Sequence, residues 1–196
     1  SVPGITVEWH AGGMLTGAVA KELAGTTAGD LALAAGPLRI EVRPCDGAYS
    51  RYDAAAGVIV LDSETIQQYM RMKGYTSESV MKSKEQVAEI AKYMSPSVVY
   101  EAAHKMQADW AAKQGVYKPH VQEDEIEAMS LEGLYTNEKM GKDPAFKAIL
   151  DSSRDFSSYA SKKSEIGTKY MDRGAKGFSQ TVRKLYFSGL PSLDGA

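Results

Sequence analysis

The alternation of apolar and polar residues is clearest in the first third of the chain. Residues 38–44 read LRIEVRP, with apolar side chains at positions 38, 40 and 42, and residues 5–10 alternate in a similar way. This period of two predicts half-buried strands. Between them, residues 11–23 are compatible with a helix, and residues 24–36 predict a loop of small residues.

A hairpin is predicted next, over residues 49–62. Residues 53–57 would form its turn, and the apolar run VIVL at residues 58–61 its second strand. Residues 1–62 are therefore expected to form a β-rich part that contains one helix.

After residue 62 the sequence becomes helical. We predict helices over residues 64–72, 84–94, 96–113 and 123–140, and mainly helical structure from residue 144 to about 187. Three serines are suitable N-caps for the first three of these helices: Ser63, Ser83 and Ser95. Pro96 fits the first turn of the helix predicted over residues 96–113, and Gly74 ends the helix predicted over residues 64–72. The tail after residue 187 is predicted to be frayed.

These elements predict an α+β fold, in which a small N-terminal antiparallel or mixed sheet precedes a mainly helical C-terminal part. The chain has 196 residues, of which 43% are hydrophobic and 24% charged, so it can bury the core of one globular domain, expected over residues 1–190. No run of apolar residues approaches the length that crosses a bilayer, so no transmembrane segment is expected.

Charge and motifs exclude several classes of function. The formal net charge is -2 and the isoelectric point about 6.0, so no nucleic-acid partner is expected. The single cysteine, Cys45, permits neither an internal disulfide nor a cysteine-based zinc site. The chain begins Ser-Val-Pro-Gly without an initiator methionine, which fits either an exported protein whose signal peptide was removed or a cloning boundary of a cytoplasmic protein.

The segment with the clearest chemical signal reads Tyr100-Glu101-Ala-Ala-His104. On a helix, Tyr100 and His104 lie one turn apart on the same face, and Glu101 lies at the edge of that face. The spacing is that of His-Glu-x-x-His, in which two imidazoles bind zinc and the glutamate is the general base for hydrolysis. Taken alone, a Glu-x-x-His spacing often arises by chance on helices.

The order of elements around this segment resembles the gluzincin group of zincin-type metallopeptidases. A hairpin precedes the Tyr100–His104 helix, and the acidic helix of residues 123–130 follows it, so the resemblance extends over residues 49–140. It implies a zincin-like domain, a zinc cofactor, Glu101 as the catalytic base, and His104 and a downstream glutamate as metal ligands. A strand at residues 58–61 would hold a peptide substrate as an added strand.

Two glutamates are candidates for the downstream ligand. Glu125 and Glu127 are two residues apart, so only one of them can face a metal on the neighbouring helix. Glu127 is slightly favoured because Ala128, a small residue, follows it directly. Alternatively, both belong to an acidic first turn that the helix dipole stabilises.

Tyr100 stands where the gluzincin pattern has its first histidine. A phenol must lose a proton before it binds zinc, so we expect zinc affinity to be weakened or lost unless another ligand replaces that histidine. His120, in the loop before the acidic helix, and His10 are the remaining histidines, and each also has a surface or structural explanation.

Two hypotheses of function follow. In the first, a degenerate, metallopeptidase-like protein with an impaired zinc site binds a peptide or protein. In the second, an active metallopeptidase uses an unusual ligand set, with Tyr100 as a phenolate ligand or as a donor to the transition state. An α+β binding domain unrelated to peptidases is the third alternative.

Overall fold

A computed structural model describes the backbone of residues 3–194 and the side chains of residues 13–194. Its strands are β1 (Ile40–Arg43), β2 (Ser50–Asp53) and β3 (Val58–Asp62). Its helices are α1 (Pro3–Leu23), α2 (Thr27–Ala34), α3 (Ser63–Lys73), α4 (Ser77–Met81), α5 (Lys84–Gln114), α6 (Gln122–Lys142), α7 (Pro144–Ser153), α8 (Ser158–Glu165) and α9 (Gly174–Leu185). A π-helical turn (Ile166–Tyr170) and a 3₁₀ turn (Met171–Arg173) join α8 to α9. The predicted α+β class, a small sheet followed by helices, is confirmed.

The sheet is mixed and has the strand order β1-β3-β2. β3 pairs in parallel with β1 and antiparallel with β2, which confirms the predicted hairpin. All five residues of β3 are buried, because the strand is central and covered on both faces. Since β3 is paired on both sides, it cannot accept a substrate as an added strand, and the expectation for residues 58–61 is wrong. Among the described strands, β2 is an edge that could do so.

The N-terminal part is less β-rich than its sequence suggested. Residues 5–10, predicted as a strand, belong to helix α1, and the predicted loop 24–36 contains helix α2. α1 packs against α5 and β1, and it buries Leu15, Val19 and Leu23 at helical spacing. Thr26 begins α2, since its hydroxyl accepts the N–H of Gly29 at 3.0 Å. An alternation over only six residues is weak evidence for a strand, and the packing of α1 favours a helix here.

The junction of sheet and helices depends on Asp62 rather than on the predicted N-cap, Ser63. One carboxylate oxygen of Asp62 accepts the N–H of Thr65 at 3.0 Å, and the other accepts the N–H of Cys45 at 3.0 Å. Asp62 therefore caps α3 and also fixes the chain that follows β1. α3 ends at Gly74, as predicted, in a left-handed conformation with φ of 71°.

Helix α5 runs through Pro96 without a break, so the predicted helix start at Ser95 is wrong. A proline inside a helix leaves the carbonyl four residues earlier without its usual N–H donor. Here the Ser95 hydroxyl donates to that carbonyl, on Lys92, at 2.8 Å, and it accepts the hydroxyl of Tyr135 at 2.8 Å. This replacement keeps one 31-residue helix beneath the candidate site.

The tail after residue 187, predicted to be frayed, is docked on the start of α6 as far as residue 194. The N–H of Gln122 donates to the carbonyl of Pro191 at 2.9 Å, and Glu123 accepts the N–H of Leu193 at 2.8 Å and the hydroxyl of Ser192 at 2.7 Å. Partial burial opposes the charged form, but these bonds outweigh it and lower the pKa of Glu123 to about 2.

We therefore expect Glu123→Gln to loosen the tail by roughly 1 kcal/mol, or about fivefold in the hydrogen-exchange protection of Leu193. Because the pKa of Glu123 lies below its ordinary 4.5, its stabilisation is present above pH 4.5 and is lost as the pH falls towards 2. Glu127→Gln, an exposed change on the same helix, is the control. Unchanged protection in Glu123→Gln would contradict the assignment.

Candidate metal centre

The candidate site lies where α5 packs against α6. Tyr100, Glu101 and His104 are on α5, as the sequence predicted, and the loop after Gly115 returns the chain so that α6 follows the same face. Ala103 and Ala128 are fully buried in the core near this junction. Small side chains allow two helices to approach closely, so polar groups on both can meet.

The carboxylate of Glu125 is the centre of the site. It is 4% exposed, and it accepts the hydroxyl of Tyr100 in a short hydrogen bond. One carboxylate oxygen also lies 3.2 Å from Nε2 of His104 and 2.5 Å from Nε2 of His120. The structure thus places Glu125, and not the slightly favoured Glu127, against the histidines.

His120 is the residue to which sequence reasoning gave too little weight. It immediately precedes the N-cap Val121 of α6, and Glu125 is the fourth helical residue. Side chains at these two positions commonly meet across the first turn of a helix. The spacing of His120 and Glu125 in the sequence could therefore have indicated that their side chains meet. His10 lies outside the residues whose side chains the structure describes.

The loop that carries His120 is fixed by Asp124. Its carboxylate accepts the N–H of Val121 at 3.0 Å and forms a short ion pair with Lys118. The carboxylate also lies 3.8 Å from Nδ1 of His120. Asp124, in the acidic first turn of α6, thus has a structural role.

Glu127 contributes to the site only through Gln107. It is exposed, and its carboxylate accepts the side-chain amide of Gln107 at 3.1 Å. The same amide nitrogen donates to the carbonyl of Asp124 at 3.0 Å, so the Gln107 oxygen faces Nδ1 of His104 at 2.9 Å. Nδ1 is therefore the donor, and Nε2 of His104 is turned towards Glu125.

Glu101 lies in the same cleft but is held separately. It is 2% exposed, and it accepts the hydroxyl of Ser50, on β2, at 2.6 Å. Burial raises the pKa of Glu101 to about 7, although Ser50 and His104 favour its charged form. A carboxylate that titrates near neutrality is suited to accept a proton from a reacting group.

Tyr100 acts as a neutral donor rather than as a phenolate. Burial and the adjacent Glu125 carboxylate raise the pKa of Tyr100 far above its ordinary value. Its ring also packs edge-on against His104, with the centroids 4.8 Å apart. The expectation of a phenolate ligand is therefore not supported by its surroundings, whereas a hydrogen-bond donor is.

Together, His104, His120 and Glu125 form a group that could hold a metal ion. Their three ligand atoms lie within 4.8 Å of one another. The group borders an open cleft of about 520 Å³, whose wall also includes Glu101 and, from the edge strand β2, residues 50–52. A cation here would have protein ligands on one side and the cleft on the other.

No family model, no curated protein and no solved structure matches this chain. Within residues 3–194, none of the helices is long and apolar enough to cross a membrane.

The contacts of His104 lead to a titration prediction for the metal-free protein. Burial disfavours the charged imidazole, but Glu125 outweighs this and raises the pKa of His104 to about 9. We expect NMR of the imidazole to give this value, and Glu125→Gln to lower the pKa to 6.5 or below.

The same shift affects stability. Because the folded-state pKa of His104 exceeds its ordinary 6.5, its stabilisation is fully present below pH 6.5 and is lost as the pH rises through 9. Urea unfolding at pH 6 and above pH 9 should show this loss in the wild type and in Glu127→Gln, the control, and much less of it in Glu125→Gln. A wild-type pKa near 6.5 would contradict the geometry.

Proposed function

We propose that this protein is a zinc-dependent hydrolase that cleaves peptide bonds, with His104, His120 and Glu125 as metal ligands and Glu101 as general base. The observation that carries the proposal is the convergence of two imidazoles and one carboxylate on a cleft that also contains a second, separately held carboxylate. Three protein ligands and one open position are the usual arrangement of catalytic zinc.

One ligand separation already fits such an ion, and a second fits after a small movement of His120. Ligands about 2.1 Å from a tetrahedral zinc are roughly 3.4 Å from each other. Nε2 of His104 lies 3.2 Å from the Glu125 oxygen, and the half-exposed His120 can move outward from its 2.5 Å contact. His120 thereby supplies a third ligand in a motif that has Tyr100 where the gluzincin pattern has its first histidine.

Surrounding groups orient the ligands, as metal sites require. The Gln107 oxygen accepts from Nδ1 of His104, which directs Nε2 towards the metal position. The Tyr100 hydroxyl holds one oxygen of Glu125, so the other oxygen remains available beside the histidines.

A bound zinc ion supplies a Lewis acid that polarises a carbonyl and lowers the pKa of water. Glu101 takes up the proton of the attacking water, for which its pKa near 7 is suited, and passes it to the leaving amine. The Ser50 hydroxyl holds the Glu101 carboxylate in position during this transfer. An extended peptide can pair with the free side of β2, whose residues 50–52 line the cleft.

A metal-free peptide-binding protein is the second candidate. It is favoured by one observation: Glu125 already accepts or faces three donors, from Tyr100, His104 and His120, so these groups are paired without an ion. In that case the cleft would bind an extended peptide along β2 and catalyse nothing. Zinc affinity distinguishes the two candidates.

We expect the wild-type chain to bind one zinc ion, and His120→Ala and Glu125→Gln each to weaken zinc binding by about two orders of magnitude. Glu127→Gln is the matched control and should weaken it by less than about tenfold, since Glu127 acts only through Gln107. Competition with a chromophoric chelator measures the zinc affinity of the wild type and of the three variants. A wild type that binds no zinc would favour the second candidate, and an unaffected His120→Ala would refute the ligand set.

Glu101→Gln separates catalysis from metal binding. We expect this variant to retain zinc and to lose peptide hydrolysis by roughly 100- to 10,000-fold, because it removes only the base. In the wild type, hydrolysis should fall as the pH drops below about 7, where Glu101 becomes protonated. Mass spectrometry of a mixed peptide library measures both. Equal cleavage by the wild type and by Glu101→Gln would show that another group is the base.

A further inference from the structure

A second cavity adjoins the metal cleft. It has a volume of about 270 Å³ and lies between the chain around residues 47–50, helix α6 and the start of the π-helical turn. Ser50 and Tyr100 line both cavities, so the two spaces meet at these side chains. The same two residues hold Glu101 and Glu125, respectively. A molecule bound at the metal cleft could therefore extend into the second cavity.

The charged side chains of this cavity are two lysines and one glutamate. Lys163 and Glu132 are both buried and form an ion pair at 2.8 Å, so they neutralise each other. Lys162 has no carboxylate partner among the described residues, and its ammonium lies 4.4 Å from the ring centroid of Tyr186. The cavity thus contains one half-buried positive charge that forms no direct ion pair within the described part of the chain.

A half-buried ammonium without an anion is costly. Burial and the neighbouring Lys163 lower the pKa of Lys162, and they outweigh the favourable effect of the more distant carboxylates, Glu132, Glu125 and Glu165. The aromatic contact with Tyr186 offsets only part of this cost. An anion that entered the cavity would offset more of it, and a carboxylate would do so with a charge-assisted hydrogen bond.

Glu132 offers a second contact in the same cavity. Its Oε2 is bonded to Lys163, whereas its Oε1 is buried and has no hydrogen-bond partner. Buried polar atoms in native structures are nearly always satisfied, so an unpartnered oxygen on a cavity wall is suited to a ligand donor. The cavity therefore presents a cation and an acceptor side by side.

We propose that this cavity is the substrate's carboxylate subsite, in which Lys162 binds a carboxylate of the peptide and Glu132 Oε1 accepts an N–H of the same residue. The C-terminal residue of a peptide carries both groups, a carboxylate and the N–H next to it. A substrate whose C-terminus lies here would have an upstream peptide bond at the metal cleft, so cleavage would occur near the C-terminus. This assignment of substrate class rests on the proposed function.

The test uses peptide binding to the full chain in the presence of a chelator, so that no metal can bind the carboxylate. The probes are acetyl-Ala-Ala-Phe as the free acid and as the C-terminal amide, together with acetyl-Ala-Glu-Ala-amide and acetyl-Ala-Gln-Ala-amide. Calorimetry or NMR titration gives the ratio of acid to neutral affinity. The variants are Lys162→Gln and, as a matched control for charge, Lys176→Gln, an exposed lysine on α9.

We expect the wild type and Lys176→Gln to bind the free acid roughly tenfold more tightly than its amide, and Lys162→Gln to lose this preference. A preference for the Glu peptide over the Gln peptide, lost in Lys162→Gln, would support the subsite with a side chain as the source of the carboxylate. Equal binding of charged and neutral peptides, a preference unchanged in Lys162→Gln, or no binding would overturn the proposal. Zinc affinity, measured separately, tests the metal site alone.

Discussion

The burial of one carboxylate, Glu125, between two long helices is the interaction on which the candidate site depends. A buried carboxylate costs several kcal/mol unless donors surround it. Tyr100 and His104 on α5 and His120 before α6 all turn towards it, so the cost of burial fixes how the two helices meet. The same arrangement brings the candidate metal ligands together. The two histidines that face Glu125 in the metal-free protein lie close enough to it that all three could bind one ion.

Supporting features preserve this meeting of helices. Ser95 provides the donor that Pro96 lacks, so α5 continues through the proline as one helix. Asp124 fixes the loop before α6, and the docked tail covers the first turn of that helix through Glu123. The candidate ligands are thus held by groups that do not touch the centre of the cleft, an arrangement that precise metal sites generally require.

The metal cleft and the adjoining cavity share Ser50 and Tyr100, so their chemistry is connected. Ser50 lies on the edge strand β2, where an extended chain could pair, and Tyr100 separates the ligand group from the lysines. The electrostatics of the two spaces are complementary. The cleft gathers carboxylates and imidazoles suited to a cation, and the cavity contains an ammonium suited to an anion. The peptide with a C-terminal carboxylate that we propose as substrate would place its carboxylate at the ammonium and an upstream peptide bond in the cleft.

Local signals in the sequence determined the type and the ends of several elements of this fold. The hairpin, the start of α5 at Ser83, the end of α3 at Gly74 and the one-face placement of Tyr100 and His104 follow from turn, cap and helix rules that depend on near neighbours. Only the tertiary structure decided that residues 5–10 join a helix, that α5 continues past Pro96, that Glu125 rather than Glu127 faces the histidines, and that His120 joins them. Each of these outcomes depends on partners distant in sequence or on the direction of a loop, and neither spacing nor propensity encodes which buried group will need a donor.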